Sequence, residues 1–227
     1  MGLAPVKTPV IVKWMFSNYI WDIPTADKII YLTFDDGPTL KITNWTLDVL
    51  KAYNAKATFF CIGDNVNNHP EIFKTILSEG HAIGNHTQNH VKGWKTKTKD
   101  YLKNTAKAQD IIDSHIEAFK IQNPEITNPK NLVCNLFRPP YGQITPKQGK
   151  KLITQGFNII MWDVISFDWE HDISRETCLK NVINKTTKGS IVVFHDSVKA
   201  SNNMQYALPK VLEYFTKKGY VFKAITA

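Results

Sequence analysis

The chain has 227 residues, 43% of them apolar, which is enough for one substantial α/β core and too apolar for a disordered chain. Its net charge of +8 rests on 28 basic residues, of which only Arg138 and Arg175 are arginines. Nucleic-acid readers lean on Arg forks, so no nucleic-acid partner is expected, and the lysines suit a solvated surface or an acidic polymer.

Residues 1–27 contain the apolar runs Val10-Ile11-Val12 and Trp14-Met15-Phe16, interrupted by Lys13. This stretch is too short to span a bilayer and lacks the cleavage site of a secretory signal. It is expected to pack on the domain that follows, with a membrane-surface anchor as the alternative. No export signal or spanning helix is visible, which leaves cytoplasmic, periplasmic and extracellular placement open. Nothing calls for an obligate protein partner, and a monomer is expected.

From residue 28 to 227 short apolar runs alternate with longer amphipathic stretches, as one domain. The pattern predicts strand 28–34, helix 42–53, strand 57–62, helix 71–79, strand 81–84 and helix 99–119. In helix 42–53, Trp45, Val49 and Leu50 share one apolar face. Residues 120–131 hold two prolines and no helical period, and read as a loop. Strand 132–137, helix 146–155, strand 158–164, helix 174–187, strand 190–194, helix 206–217 and strand 220–225 complete the alternation. Near-continuous apolar strands separated by helices indicate a parallel sheet covered by helices. Cys61, Cys134 and Cys178 lie far apart without CxxC spacing, and Cys61 reads as a small buried hydrophobe.

The polar residues fall in a pattern. Asp35-Asp36 closes the first strand, His86 and His90 follow the third, and Arg138 follows the fourth. Asp168-Trp169 follows the fifth strand and His195-Asp196 the sixth. Strand carboxyl ends share one face in parallel α/β folds, so these residues are expected to form one site. Two imidazoles spaced i, i+4 reach one ion if their segment is helical or nearly so. With a carboxylate they make three ligands, which leaves a position open for water and marks a catalytic metal. Adjacent side chains diverge, so one aspartate ligates while the other is free to take a proton. Arg138, stiffened by Pro139-Pro140, can pair with that free carboxylate, and the Pro-Tyr-Gly turn can offer a backbone N–H to an oxyanion. His195 with Asp168 suits a general acid. His69, His81, His115 and His171 lack such context and read as surface or cap positions. Lys92, Lys95, Lys97 and Lys99, with Trp94 among them, either rim the site or form a solvated basic surface.

The motifs Thr33–Pro38, His86–His90, Arg138–Gly142, Asp168-Trp169 and Val193-Phe194-His195 together resemble the polysaccharide deacetylase family, also called the NodB-homology or carbohydrate esterase 4 family. The resemblance runs from about residue 28 to the C-terminus. It implies a distorted (β/α)7 barrel that removes N-acetyl groups from an N-acetylglucosamine-containing glycan, of chitooligosaccharide or peptidoglycan type. It further implies Asp35 as general base, Asp36, His86 and His90 as ligands of a divalent metal, and Arg138 as the support of Asp35. Zinc is the expected metal, with cobalt, nickel or manganese as alternatives. Tyr141 would supply an oxyanion N–H and contact substrate, His195 the acid tuned by Asp168, and Trp169 and Val193 the acetyl-methyl pocket. Ile165 departs from the family, many of whose members carry an acid there, and Val193 replaces the usual leucine. Rival functions are an O-acetyl esterase on acetylxylan and a non-catalytic glycan-binding module.

Overall fold

The computed structural model describes residues 5–124 and 135–226. In chain order its elements are α1 (Val10–Met15), β1 (Ile29–Asp35), α2 (Ile42–Ala52), β2 (Ala57–Cys61), α3 (Gly63–Asn68), α4 (Pro70–Ser78), β3 (Ala82–Asn85) and α5 (Thr98–Gln122). There follow β4 (Leu136–Phe137), α6 (Pro146–Thr154), β5 (Asn158–Ile159), β6 (Val164–Ile165), α7 (Arg175–Ile183), β7 (Ile191–His195), α8 (Ser201–Lys217) and β8 (Val221–Phe222). Seven strands pair in parallel in the order β5-β4-β3-β2-β1-β7-β6, and β8 lies along the start of β1. Every residue of β2 is buried, as a central parallel strand covered on both faces requires.

Chain reach dictates the curl of this sheet. β5 and β6 stand at opposite ends of the strand order, yet only residues 160–163 join them. An extended chain of that length spans roughly 18 Å. Seven flat strands are about 29 Å wide. The sheet must therefore curl until its ends come within reach of that link, which gives the distorted (β/α)7 barrel. The single strand expected at 158–164 breaks into β5 and β6 for this reason, because its two halves pair with opposite edges.

Residues of the N-terminal segment run along the seam. The Ile20 N–H donates to the Ile159 carbonyl (2.8 Å), and the Met161 N–H donates to the Ile20 carbonyl (2.7 Å). Lys7 bridges Val164. α1 is held by charge and by one partly buried apolar contact, Val12 against the cluster around Tyr19 and Trp21. Lys13 pairs with Asp22 and, at 2.5 Å, with Asp163; Lys7 Nζ reaches the same Asp163 carboxylate at 2.7 Å. The Ser190 hydroxyl also donates to Asp163, at 2.6 Å. Burial opposes ionisation of Asp163, but these donors outweigh it and hold its carboxyl below the usual range. Val10, Ile11, Trp14 and Met15 stay exposed, so the apolar runs of the sequence do not become a buried helix face.

Three other expectations change. His81 is a core residue whose Nδ1 accepts the Ala57 N–H at 3.1 Å, and burial pushes its pKa down to about 3. α3 was not foreseen, because Gly63-Asp64-Asn65-Val66-Asn67-Asn68 has no apolar period. The loop expected from residue 120 begins later, since α5 continues to Gln122; residues 125–131 and the first half of the expected strand 132–137, Cys134 included, lie outside the described residues. Cys61 and Cys178 are buried.

Replacing Asp163 with alanine leaves Lys13 with Asp22 alone, Lys7 with only the Lys185 carbonyl, and the buried Ser190 hydroxyl without its acceptor. The unfolding free energy in denaturant should fall by about 3 kcal/mol. A change within the error of the titration would mean that the clasp contributes nothing. The wild-type contribution should be present at neutral pH and be lost as pH falls through the lowered Asp163 pKa.

Candidate active site

The carboxyl ends of β1, β3, β4, β6 and β7 surround a cavity of about 440 Å³. Asp35, Asp36, His86, His90, Tyr141, Trp169, Val193 and His195 all line it. Arg138 and Asp168 stand behind this lining and act on it through Asp35 and His195. Every residue expected to act in the chemistry is thus at or directly behind one cavity, while Trp94 and the lysines around it do not line it.

Asp35 and Asp36 do diverge. Asp35 ends β1 and is 4% exposed, while Asp36 takes a left-handed φ of 82° that turns its side chain from that of its neighbour. Arg138 donates to Asp35 Oδ1 at 2.6 Å and to the Thr33 hydroxyl at 2.7 Å. Its other nitrogens donate to the Ile160 carbonyl (3.1 Å) and the Met161 carbonyl (2.9 Å). The guanidinium is fully buried and lies 4.1 Å above the Phe60 ring. Asp35 therefore belongs to the arginine, and Asp36 does not.

Asp36 faces two imidazoles. Its Oδ1 is buried without a hydrogen-bond partner, 3.2 Å from His90 Nε2 and 3.8 Å from His86 Nε2. His86 Nδ1 lies 2.7 Å from the Arg138 carbonyl, which selects the Nδ1–H tautomer and leaves Nε2 as a lone pair toward Asp36. Burial pushes both rings down in pKa, His90 to about 4 with help from His86, so both are neutral at pH 7. The three ligand atoms lie within 4.8 Å of one another. An orphaned carboxylate oxygen and two neutral nitrogens converging on one point fit a divalent metal. The His pair reaches this geometry through a turn and not a helix, with Thr87 and His90 at φ 66° and 59°. The Thr87 N–H is caught by Asn85 Oδ1 at 2.8 Å.

His195, at the end of β7, is gripped twice by Asp168. Its backbone N–H donates to Oδ2 at 2.7 Å and its Nδ1 to Oδ1 at 2.8 Å. Burial disfavours the cation, but Asp168 outweighs burial, with Asp36 and Asp35 adding to it, and raises the His195 pKa to about 9. The ring is a protonated donor at neutral pH. Trp169 meets it edge-on at 4.7 Å.

Sequence reading missed several residues of this cavity. Trp162, Phe167, Ser197 and Lys199 line it without belonging to any motif. Asp196 was seen only as the neighbour of His195. It accepts the Gly37 N–H at 3.0 Å and the Thr43 hydroxyl at 2.5 Å, and so tethers the loop that carries Asp36. A side chain on Gly37 would collide with it, its Cβ meeting Asp196 Oδ2 at 2.1 Å.

A family model described as polysaccharide deacetylase matches residues 22–160. The chain belongs to the polysaccharide deacetylase family. A peptidoglycan-N-acetylglucosamine deacetylase of Bacillus cereus is 34% identical over 208 residues, which cover 91% of this chain and 90% of that protein. A peptidoglycan-N-acetylmuramic acid deacetylase of Bacillus subtilis is 34% identical over 193 residues, 85% of this chain and 37% of that longer protein. The crystal structure of the Bc1960 peptidoglycan N-acetylglucosamine deacetylase, solved with 4-naphthalen-1-yl-N-oxidanyl-benzamide, superposes with a TM-score of 0.79 at 32% identity. That match covers 96% of this chain and 95% of the other. This deacetylase is thus a hydrolase on the distorted (β/α)7 barrel of its family. Among its described residues no helix is long and apolar enough to cross a membrane.

The grip on His195 is open to direct measurement. Its imidazole should titrate near pH 9 by NMR in this deacetylase. In Asp168→Asn the midpoint should fall well below 9, because burial is then opposed only by the smaller contributions of Asp36 and Asp35. An unmoved midpoint would contradict the grip. Since the folded pKa is raised, the pair stabilises the fold fully below about pH 6.5 and less as pH rises through 9.

Proposed function

We propose that this deacetylase hydrolyses the N-acetyl group of N-acetylglucosamine residues in a peptidoglycan-type glycan, using one divalent metal. The observation that carries this reading is a division of labour in one cavity. One carboxylate is held through one of its oxygens by an arginine, the next has a free oxygen facing two neutral imidazoles, and a cationic imidazole stands opposite. Amide hydrolysis needs these three things: a base for water, an electrophile for the carbonyl, and an acid for the leaving amine.

Asp36, His86 and His90 would hold the cation, with zinc favoured by the mixed N/O set and cobalt, nickel or manganese as alternatives. The metal would supply Lewis-acid chemistry, acidifying water and polarising the acetyl carbonyl. Asp35 removes the proton of the attacking water. Arg138 fixes the orientation of Asp35 by donating to its Oδ1. Tyr141, held at φ 60° in its turn, contributes a backbone N–H to the developing oxyanion. His195 then gives its proton to the amine nitrogen as the C–N bond breaks, which yields acetate and a free amino sugar. Trp169 and Val193 enclose the acetyl methyl, together with Phe167 and Ile165. Ile165 makes this part of the cavity wall apolar.

The substrate class is supported by the names of the relatives and by the cationic rim. Lys199 lines the cavity, and Lys92 Nζ stands 4.6 Å from the Tyr141 ring centroid. Both would favour an anionic glycan strand over a neutral one.

Two variants separate the roles of the paired aspartates and the histidines. Asp35→Asn should keep its metal, by elemental analysis, and lose about 10²–10⁴-fold in acetate release, the usual worth of a general base. His90→Ala should lose metal and activity together. Full metal content in His90→Ala, or less than about tenfold loss in Asp35→Asn, would overturn the assignment.

A further inference from the structure

The chemistry above leaves unexplained why α1 turns its apolar side chains to solvent. Val10, Ile11, Trp14 and Met15 are each at least 60% exposed. Val10 and Trp14 are spaced i, i+4, as are Ile11 and Met15, so the four share one side of the helix. Its other side is already engaged, with Lys13 on Asp22 and Asp163 and Val12 on the Tyr19 and Trp21 cluster. The helix cannot roll to bury the four residues without giving up these contacts. They stand as a fixed apolar ridge, and contiguous exposed apolar surface marks an interaction site.

Trp94 extends this ridge. It lines, with Val12 and Phe16, one cleft of about 270 Å³, and it is itself 67% exposed. Its indole N–H donates to the Ile144 carbonyl at 3.2 Å. Gln148 of α6 donates to the Gly93 carbonyl (2.9 Å) and the Thr96 carbonyl (3.0 Å) on either side of Trp94. The next residue, Gly149, lies so close to the Tyr19 hydroxyl that a Cβ would meet it at 2.1 Å. α6 thus locks the Trp94 turn and the N-terminal segment together. The stretches that meet here, residues 5–21, 86–99 and 135–162, contain no Asp or Glu. Lys95 and Lys97 beside Trp94, and Lys147, Lys150 and Lys151 on α6, are all exposed. The apolar ridge is therefore set in a basic surround.

We propose that this face is a docking surface for an anionic lipid bilayer, with α1 and Trp94 seated among the headgroups and the five lysines against lipid phosphates. Aliphatic side chains and indoles beside lysines are the composition of an interfacial anchor, and each lysine near an anionic leaflet adds to the attraction. Charge and apolarity together select this occupant. A polyanionic glycan would engage the lysines but leave Val10, Ile11 and Met15 in water. A second copy of the chain would bring the same lysines against themselves across a two-fold axis. Tyr141, Gly142 and Trp162 line both the cleft and the catalytic cavity, so docking here holds the mouth of that cavity beside the membrane. The docking itself does not depend on the deacetylase reading.

The test is sedimentation of the full chain with vesicles of phosphatidylcholine and phosphatidylglycerol, and with vesicles of phosphatidylcholine alone. The chain should sediment with the mixed vesicles at low salt, far less with the neutral ones, and be released by added salt. Ile11→Ser/Trp14→Ala and, separately, Lys147→Gln/Lys150→Gln/Lys151→Gln should each lower the partition coefficient about tenfold or more. Spin-labelled lipid at headgroup depth should quench tryptophan emission, and Trp14→Phe/Trp94→Phe should remove most of that quenching. Hydrolysis of an aryl acetate should be unchanged in all three variants, which shows that the fold and the catalytic cavity are intact. Absence of sedimentation with the mixed vesicles would overturn the proposal. So would binding that Ile11→Ser/Trp14→Ala leaves untouched, because the face would then respond to charge alone. Retention on insoluble peptidoglycan, or a dimer, that needs Ile11 and Trp14 in place of any vesicle binding would assign the face to that partner and overturn it too.

Discussion

The rest of this structure depends on a guanidinium that has to be satisfied away from water. Arg138 is fully buried at the head of the barrel, where a charge without partners would cost several kcal/mol. Its partners come from every side. Thr33 and Asp35 lie on β1, the carbonyls of residues 160 and 161 lie on the link that closes the barrel, and the Phe60 ring of β2 lies beneath it. Its own carbonyl then takes the ring N–H of His86. One residue thus ties the closure of the sheet to the orientation of a carboxylate and an imidazole. A barrel that failed to curl would leave the arginine short of acceptors, and the site would lose its order together with the fold.

Around that anchor the site is built from backbone that ordinary residues rarely adopt. Asp36, His90, Tyr141 and Phe167 line the catalytic cavity with φ between 59° and 82°. Left-handed conformations at non-glycine residues are costly and persist only where surroundings over-determine them. Here the surroundings are visible. Asp196 holds Gly37, Asn65 donates to the Asp36 carbonyl at 2.7 Å, Asn85 catches Thr87, and the double proline stiffens the approach to Tyr141. The ligand and acid side chains therefore meet in a fixed arrangement, which electrostatic catalysis requires.

Much of this was legible in the sequence because it is local. Apolar runs followed by Asp35-Asp36, His86, Arg138, Asp168 and His195 announce strands whose carboxyl ends carry chemistry, and the structure brings those residues to or directly behind one cavity. What escaped is long-range or defined by shape. The split of 158–164 follows from closing a ring, which no local period encodes. The Lys13–Asp163 pair joins residues 150 positions apart. His81 reads as polar, yet it is a core residue because one backbone N–H needs an acceptor. Trp162 and Phe167 carry no motif and enter the cavity only through the path of the chain.

In the proposed function Asp36, His86 and His90 would hold a divalent cation beside Asp35 and His195, and the five groups together would hydrolyse an amide. Its most direct test is acetate release from peptidoglycan fragments, before chelation, after chelation and after return of a divalent cation. The account predicts release that stops on chelation and returns with zinc, accompanied by equimolar free amine, and absent throughout in Asp36→Ala. Release that survives complete chelation, or acetate freed from acetylxylan but from no amide, would contradict it.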